Sequence, residues 1–200
     1  THNFNASVTG QIDSVTVNQY QYENIQLSGD ILNKRFDGNL IVDDPNLRFR
    51  FDGEFDLNVP VPVFNFNMQI EKADLVALKL VDSYRRSDIA FALNANFKGN
   101  NIDNLDGLIH FAQGSYRNEN GLLLFNNFDL KTFSEEEPVL QVRSDFLDAD
   151  IRGKYELHNL HNSVKKIINR FLPSAGLTIP AQKTTNSFDF SFNLKDINRF

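Results

Sequence analysis

LRFRFDGEFDL, residues 47–57, carries Leu47, Phe49, Phe51, Gly53, Phe55 and Leu57 at its odd positions and Arg48, Arg50, Asp52, Glu54 and Asp56 at its even ones. A helix would scatter that pattern around its circumference. Successive strand side chains point to opposite faces, so a strict period of two over eleven residues predicts one long strand with an apolar wall and a solvated back. LDADIRGKYEL, residues 147–157, repeats the device: Leu147, Ala149, Ile151, Gly153, Tyr155 and Leu157 share one face, and Asp148, Asp150, Arg152, Lys154 and Glu156 the other.

Glycine sits on the apolar row of both stretches, and again in Ile25-x-Leu27-x-Gly29-x-Ile31, Phe36-x-Gly38-x-Leu40-x-Val42 and Leu105-x-Gly107-x-Ile109-x-Phe111. A glycine inside a strand costs backbone entropy and packs nothing, so it marks a bend or the close approach of another group. Two readings follow. Each glycine makes room for a phenylalanine on a facing strand, or the set curves the sheet into a trough. On the trough reading, valine at Gly53 suits a strand and is expected to fill the concave side without loss of stability.

The rest of the chain reads as strands joined by short turns. DDPN, residues 43–46, is turn chemistry after Val42, and NVPVP, residues 58–62, ends the long wall. VFNFNMQI sets Phe64, Phe66, Met68 and Ile70 opposite Asn65, Asn67 and Gln69; Ile89, Phe91, Leu93, Ala95 and Phe97 line another strand. NENG, residues 118–121, predicts a hairpin loop, and Phe188, Phe190, Phe192 and Leu194 a last strand. ADLVALKL, residues 73–80, predicts a turn or two of helix. One segment leaves the β rhythm: Leu160, Val164, Ile167, Ile168, Phe171 and Leu172 form a single helical stripe ended by Pro173. With only Lys165, Lys166 and Arg170 off that stripe, the helix at 160–172 is expected to plug the sheet rather than ride on a membrane.

Composition narrows the classes. The 200 residues carry a net charge of −6 with a pI near 5.2, and their positive charges alternate with negative ones, which argues against a nucleic-acid partner. With no cysteine, disulfide frameworks and thiolate metal sites are excluded. The aromatics are 19 Phe and 5 Tyr with no Trp, a set without the amphipathic edges that sugar sites recruit. His2, His110, His158 and His161 are the only imidazoles. His158 and His161 are spaced to share a metal, but no third ligand is near them. Ser14, Ser28 and Ser115 lie in no nucleophile elbow, no glycine-rich loop leads into a helix, and Asp43, Asp44 and Asn46 lack the glutamate that closes a calcium loop. The reading is of a chain that is not an enzyme and holds no cofactor. It begins at Thr1 with no signal peptide or spanning segment, and its strand-like ends read as a piece cut from a longer sheet.

The succession NIQLSGDILNKRFDGNLIVDDPNLRFRFDGEFDL, PVFNFNMQIEKADLVALKL, ANFKGNNIDNLDGLIHF and LQVRSDFLDADIRGKYEL, followed by a segment ending NRFLPS, resembles the translocation and assembly module (TamB) family of AsmA-like envelope proteins, in its Bacteroidota form. The resemblance runs over nearly the whole chain. It implies a long sheet folded lengthwise into a β-taco, a periplasmic location in a protein anchored in the inner membrane, and an Omp85-type outer-membrane barrel as partner. It further implies transport of phospholipid acyl chains along the greasy interior and a role in outer-membrane protein insertion. The family carries no fixed catalytic motif, so no catalytic residue transfers.

The expectation is therefore an all-β, mainly antiparallel, elongated and curved groove with one amphipathic helix and short helical turns, forming a single unit over residues 1–200. Its lipid-facing lining would comprise Leu27, Leu40, Val42, Leu47, Phe49, Phe51, Gly53, Phe55, Phe64, Phe66, Met68, Phe91, Leu93, Phe97, Ile109, Ile151 and Phe190. Periodicity alone leaves open a closed β-sandwich serving as a structural or interaction module, and a lipocalin-like barrel holding one small apolar molecule.

Overall fold

The computed structural model describes residues 5–133, 137–156 and 187–195. Eleven strands succeed one another within them: β1 (Asn5–Val17), β2 (Tyr20–Leu32), β3 (Arg35–Asp44), β4 (Leu47–Asp56), β5 (Val63–Asp74), β6 (Ser87–Lys98), β7 (Asp106–Asn118), β8 (Gly121–Phe133), β9 (Val139–Ser144), β10 (Leu147–Lys154) and β11 (Ser187–Leu194). They make one antiparallel sheet whose spatial order is the chain order, with β1 and β11 as its outer edges. It is an open, curved meander. The strands described close neither a barrel nor a second layer.

Turn chemistry explains the meander. Asn18 and Gln19, at φ 49° and 65°, form the two-residue link between β1 and β2, and Asn33 at φ 60° opens the next one. Both links use the left-handed backbone that twisted hairpins need and that asparagine tolerates. Pro45 and Asn46 connect β3 to β4, and Glu119 and Asn120 connect β7 to β8, at the two turns expected from sequence.

Register aligns the apolar positions into rows running across the strands. One row is Leu27, Leu40, Phe51, Met68, Leu93, Phe111 and Phe128. A second is Ile31, Phe36, Phe55, Phe64, Phe97 and Gly107, continuing through Thr132, Leu140 and Ile151 to Phe190. A slip of one residue in any pair would turn a whole strand's apolar set outward, so the alternating pattern itself holds the register.

Register shifts fall at Arg48/Phe49, Ile70/Ala73 and Ala90/Ala92. Such irregularities bend a strand and raise local twist, so they are the curving devices in this half of the sheet. Gly53 and Gly107 sit in regular register instead. They answer to close approach: a Cβ on Gly53 would stand 2.4 Å from Phe66 Cα, and one on Gly107 would stand 2.5 Å from Phe97 Cα. Of the two readings of the glycine row, accommodation of a phenylalanine on the adjacent strand is the one the structure bears out at these positions. The expected tolerance of valine at Gly53 is overturned, because its φ of +149° and the neighbouring backbone leave no place for a side chain.

Three boundaries differ from expectation. The long wall ends at Asp56 and leaves Leu57 exposed, while β10 ends at Lys154, before Tyr155. ADLVALKL opens as the end of β5 and then makes a single helical turn. Leu78 N donates to Asp74 O at 3.0 Å, and the Asp74 carboxylate accepts from the N–H groups of Val76 and Ala77. A short 3₁₀ turn, Ile102–Asn104, precedes β7. The helix expected at 160–172 lies outside the described residues, as do His2, His158 and His161.

Candidate functional site: an apolar trough

All seventeen positions expected to line a groove fall on one face of the sheet, as the register requires. Six rings organise its middle. Phe36, Phe51, Phe66, Phe97, Phe64 and Phe55 form a closed circuit of neighbours, with centroids between 4.8 and 6.5 Å apart, around Gly53. Those separations and the tilted, stacked or edge-on planes are the favourable range for aromatic pairs. The glycine is central because β4 and β5 approach too closely there for any side chain, while Phe51 and Phe55 flank it on β4. A second band joins Phe91, Phe111, Phe128 and Phe146.

Burial shows how open this face is. Small or branched residues along the rows are buried, among them Ile25, Val42, Leu93, Ala95, Leu140 and Ile151. Among the described residues no phenylalanine is buried; the rings of the two bands are half-exposed, and Phe190 and Phe192 on β11 are exposed. The phenyl groups contact one another along the sheet and leave their outer sides available. Such a surface offers dispersion contact and water exclusion without orienting polar groups, which suits methylene chains and does not discriminate among them.

The same face carries a polar cluster where Asp44 stands opposite Leu47. Asp44, 2% exposed, accepts hydrogen bonds from Tyr20 Oη at 2.5 Å, Asn46 N at 2.8 Å and Glu23 N at 3.1 Å. Burial, reinforced by the adjacent Asp44 carboxylate, pushes the Tyr20 hydroxyl up in pKa. Three donors satisfy a carboxylate that would otherwise be costly to bury.

The opposite face is polar. Asn39, Asp52, Asn67, Asn94, His110, Asp129 and Arg143 follow one another in register across seven strands, and Asn94 donates to Asn67 at 2.7 Å. His110 pairs with Asp129 through Nδ1. Arg143 forks onto Asp150 at 2.7 and 2.9 Å, holding that carboxyl below the usual range, and Lys195 does the same for Asp148. The concavities of this face are shallow. One of about 300 Å³ has Arg50, Asp52, Gln69 and His110 around it, and one of about 390 Å³ has Asp88, Arg117, Leu122 and Leu124. Among the described residues no group of three metal-ligating side chains is assembled, and no helix is long and apolar enough to cross a membrane.

Sequence reading missed part of the trough. Phe36, Ile70, Phe111, Phe128, Leu130, Val142 and Phe192 belong to the same face. The first three extend alternations already recognised. Phe128 and Leu130 were hidden because β8 begins GLLLF, apolar on both faces, and shows no period of two until Phe128. What fold and face together define is an open, curved antiparallel sheet with one apolar face. The chain matches no family model, no curated protein and no solved structure.

Proposed function

We propose that this chain is a trough segment of a periplasm-spanning bacterial envelope protein of the TamB kind, in which phospholipid acyl chains move along the apolar face between inner and outer membrane while head groups stay in water. One observation carries the reading: the apolar face is continuous from strand to strand across an open sheet, with the alternating charges of β4 and β10 behind it. Eleven strands at roughly 4.8 Å spacing extend that surface by about 48 Å across the strands. A single leaflet's acyl chains occupy about 15 Å, half of the roughly 30 Å hydrocarbon core, so the surface holds a tail throughout a passage along it. Each methylene buried contributes about 0.8 kcal/mol, and partial burial on an open surface contributes proportionally less, which keeps a lipid bound yet mobile.

In this reading the full-length protein reaches an Omp85-type barrel and supports outer-membrane protein assembly, a part that rests on the sequence resemblance. The test is lipid extraction and native mass spectrometry of the chain purified from a bacterial envelope. Co-purifying phospholipid, reduced by Phe51→Asp and retained in Arg50→Asp, is the expected result. A folded chain free of lipid in all three forms would favour the interaction-module reading.

A further inference from the structure

Along the strand direction the trough face is polarised. The β1–β2, β3–β4, β5–β6 and β7–β8 connections lie at one end of the sheet, and the β2–β3, β4–β5 and β6–β7 connections at the other. At the second end the last trough-facing residues are Ile31, Phe36, Phe55, Phe64 and Phe97, adjacent in register from β2 to β6. Leu32, Leu57, Val59 and Val61, all exposed, add further apolar surface there. At the first end the corresponding residues, from β2 to β7, are Tyr20, Asp44, Leu47, Ala73, Ser87 and Asn118, and only Leu47 and Ala73 are apolar. The tyrosines follow the same division. Tyr20, Tyr22 and Tyr116 face the trough at the first end and Tyr84 lies in the β5–β6 connection, while Tyr155 follows β10. Tyr20, Tyr22 and Tyr116 are half-buried. Tyr116 Oη accepts from Ser87 Oγ at 3.3 Å and Asn118 Nδ2 at 3.5 Å, which leaves its own proton to donate, and Tyr22 Oη has no hydrogen-bond partner among the described residues. A ring with an apolar body and a hydroxyl to donate suits the boundary between hydrocarbon and a hydrated head group.

We infer that a phospholipid lies on this face parallel to the strands, with its head group at the tyrosine end, within reach of the Tyr22 or Tyr116 hydroxyl, and its chains running toward Phe55 and Phe64. Head groups then travel along one margin of the sheet only. The inference rests on the acyl-chain reading above and adds to it an orientation and a head-group subsite. The dimensions agree. From Leu47 to Phe55 the apolar row of β4 runs eight residues, about 27 Å at 3.4 Å per residue, and a leaflet's chains need about 15 Å, so chains that start at the tyrosines also end on apolar surface. The reverse orientation sets the head group among Ile31, Phe36, Phe55 and Phe64, side chains that offer it no hydrogen bond, and lays the chains over Tyr20, Asp44 and Ser87.

The chain has no tryptophan, so single tryptophans read the bound lipid directly. Tyr22→Trp, Leu27→Trp and Ile31→Trp place a reporter on β2 at the tyrosine end, in mid-width and at the phenylalanine end. The full chain is incubated with phosphatidylcholine vesicles whose lipid carries a nitroxide either on the choline or near the chain terminus, then separated from the vesicles by gel filtration. The choline label should quench Tyr22→Trp at least about threefold more than Ile31→Trp, which lies about 30 Å along the strand. The chain-terminal label should quench Leu27→Trp most. Tyr116→Trp against Phe55→Trp repeats the comparison on other strands, and circular dichroism identifies any variant that has merely unfolded. Removing both hydroxyls, Tyr22→Phe with Tyr116→Phe, should weaken quenching of Leu27→Trp by the chain-terminal label at least about threefold, since the head group loses a hydrogen bond. Equal quenching of Tyr22→Trp and Ile31→Trp by the choline label, stronger quenching of Ile31→Trp, or no effect of removing the hydroxyls would overturn the inference and leave the trough lipid-bearing. Absence of quenching by either label in every folded reporter would refute the acyl-chain reading itself, and the orientation with it.

Discussion

Replacing Gly53 by alanine tests whether the trough is built as described, because three glycines separate two costs. Gly10 has no neighbour within 4 Å of a Cβ position and no left-handed φ; Gly121 has the same open space but a φ of +156°; Gly53 combines φ +149° with contacts of 2.4 Å to Phe66 Cα and Asn65 O. Alanine at Gly10 should change stability by less than about 0.5 kcal/mol, as at an ordinary surface position. At Gly121 it carries only backbone strain, about 1–3 kcal/mol. At Gly53 the same strain adds to an overpacking cost of about 1–3 kcal/mol, because β4 and β5 must separate or the ring circuit must open. The expected loss is about 2–6 kcal/mol. Urea unfolding followed by far-ultraviolet circular dichroism measures all three variants, with amide exchange of β4 and β5 to localise the loss. If Gly53→Ala costs no more than Gly121→Ala, the close approach of the two strands is refuted, and the central role of glycine in the ring circuit goes with it.

Single cysteines at Arg50 and Arg152 should react quickly with a polar maleimide, while those at Phe51 and Ile151 react slowly, since the arginines lie on the exposed face; equal rates would contradict the assignment of faces. Asp44→Ala strips three donors of their acceptor and should cost about 2–4 kcal/mol, whereas Tyr20→Phe removes one and should cost about 1 kcal/mol, both read from chemical denaturation. The carboxyls of Asp145, Asp148 and Asp150 are held below the usual range by the Asn126 N–H, Lys195 and Arg143 respectively. A depressed folded-state pKa contributes stability above the unfolded value of 3.8 and loses it as pH falls through the lower folded value. Thermal melts should therefore show β9 and β10 loosening first on acidification from pH 5, and Asp145→Asn together with Asp150→Asn should flatten that dependence.

Where alternation was strict the sequence was transparent: β4, β5, β6 and β10 and their inward faces followed from a period of two, and DDPN and NENG marked their turns. The trough residues were legible for the same reason, since in a one-layer sheet the face of a residue is decided by parity and register together. Parity fails at irregularities. Gln113 at φ 51° shifts the alternation of β7 between Phe111 and Gly114, and Asn24 at φ 51° does so in β2. GLLLFNN has no alternation to read, so β8 and its unpaired half were invisible until β9 was seen to be short. Whether Gly53 bends the chain or admits a neighbour was also beyond the sequence, because it depends on which residue of β5 stands opposite. Register supplies that residue, Phe66.

A one-layer sheet distributes its stability differently from a sandwich, and that bears on how the proposed function can be separated from folding. In a sandwich each inward side chain packs against a second layer, so a charge placed there disrupts two sheets at once. Here every strand touches only its neighbours in the chain, as in a solenoid, and a mutated row loses local contacts while distant rows keep theirs. Phe51 is half-buried, so Phe51→Asp should cost about half of the 3–5 kcal/mol typical of a buried phenylalanine. That loss is confined to the ring circuit around Gly53. The same carboxylate stands in the row Leu40, Phe51 and Met68 that crosses β3, β4 and β5, where a passing methylene chain would meet a hydrated charge. Folding thus responds locally to such a change and passage globally. An open trough makes those two responses separable, and a packed interior would not.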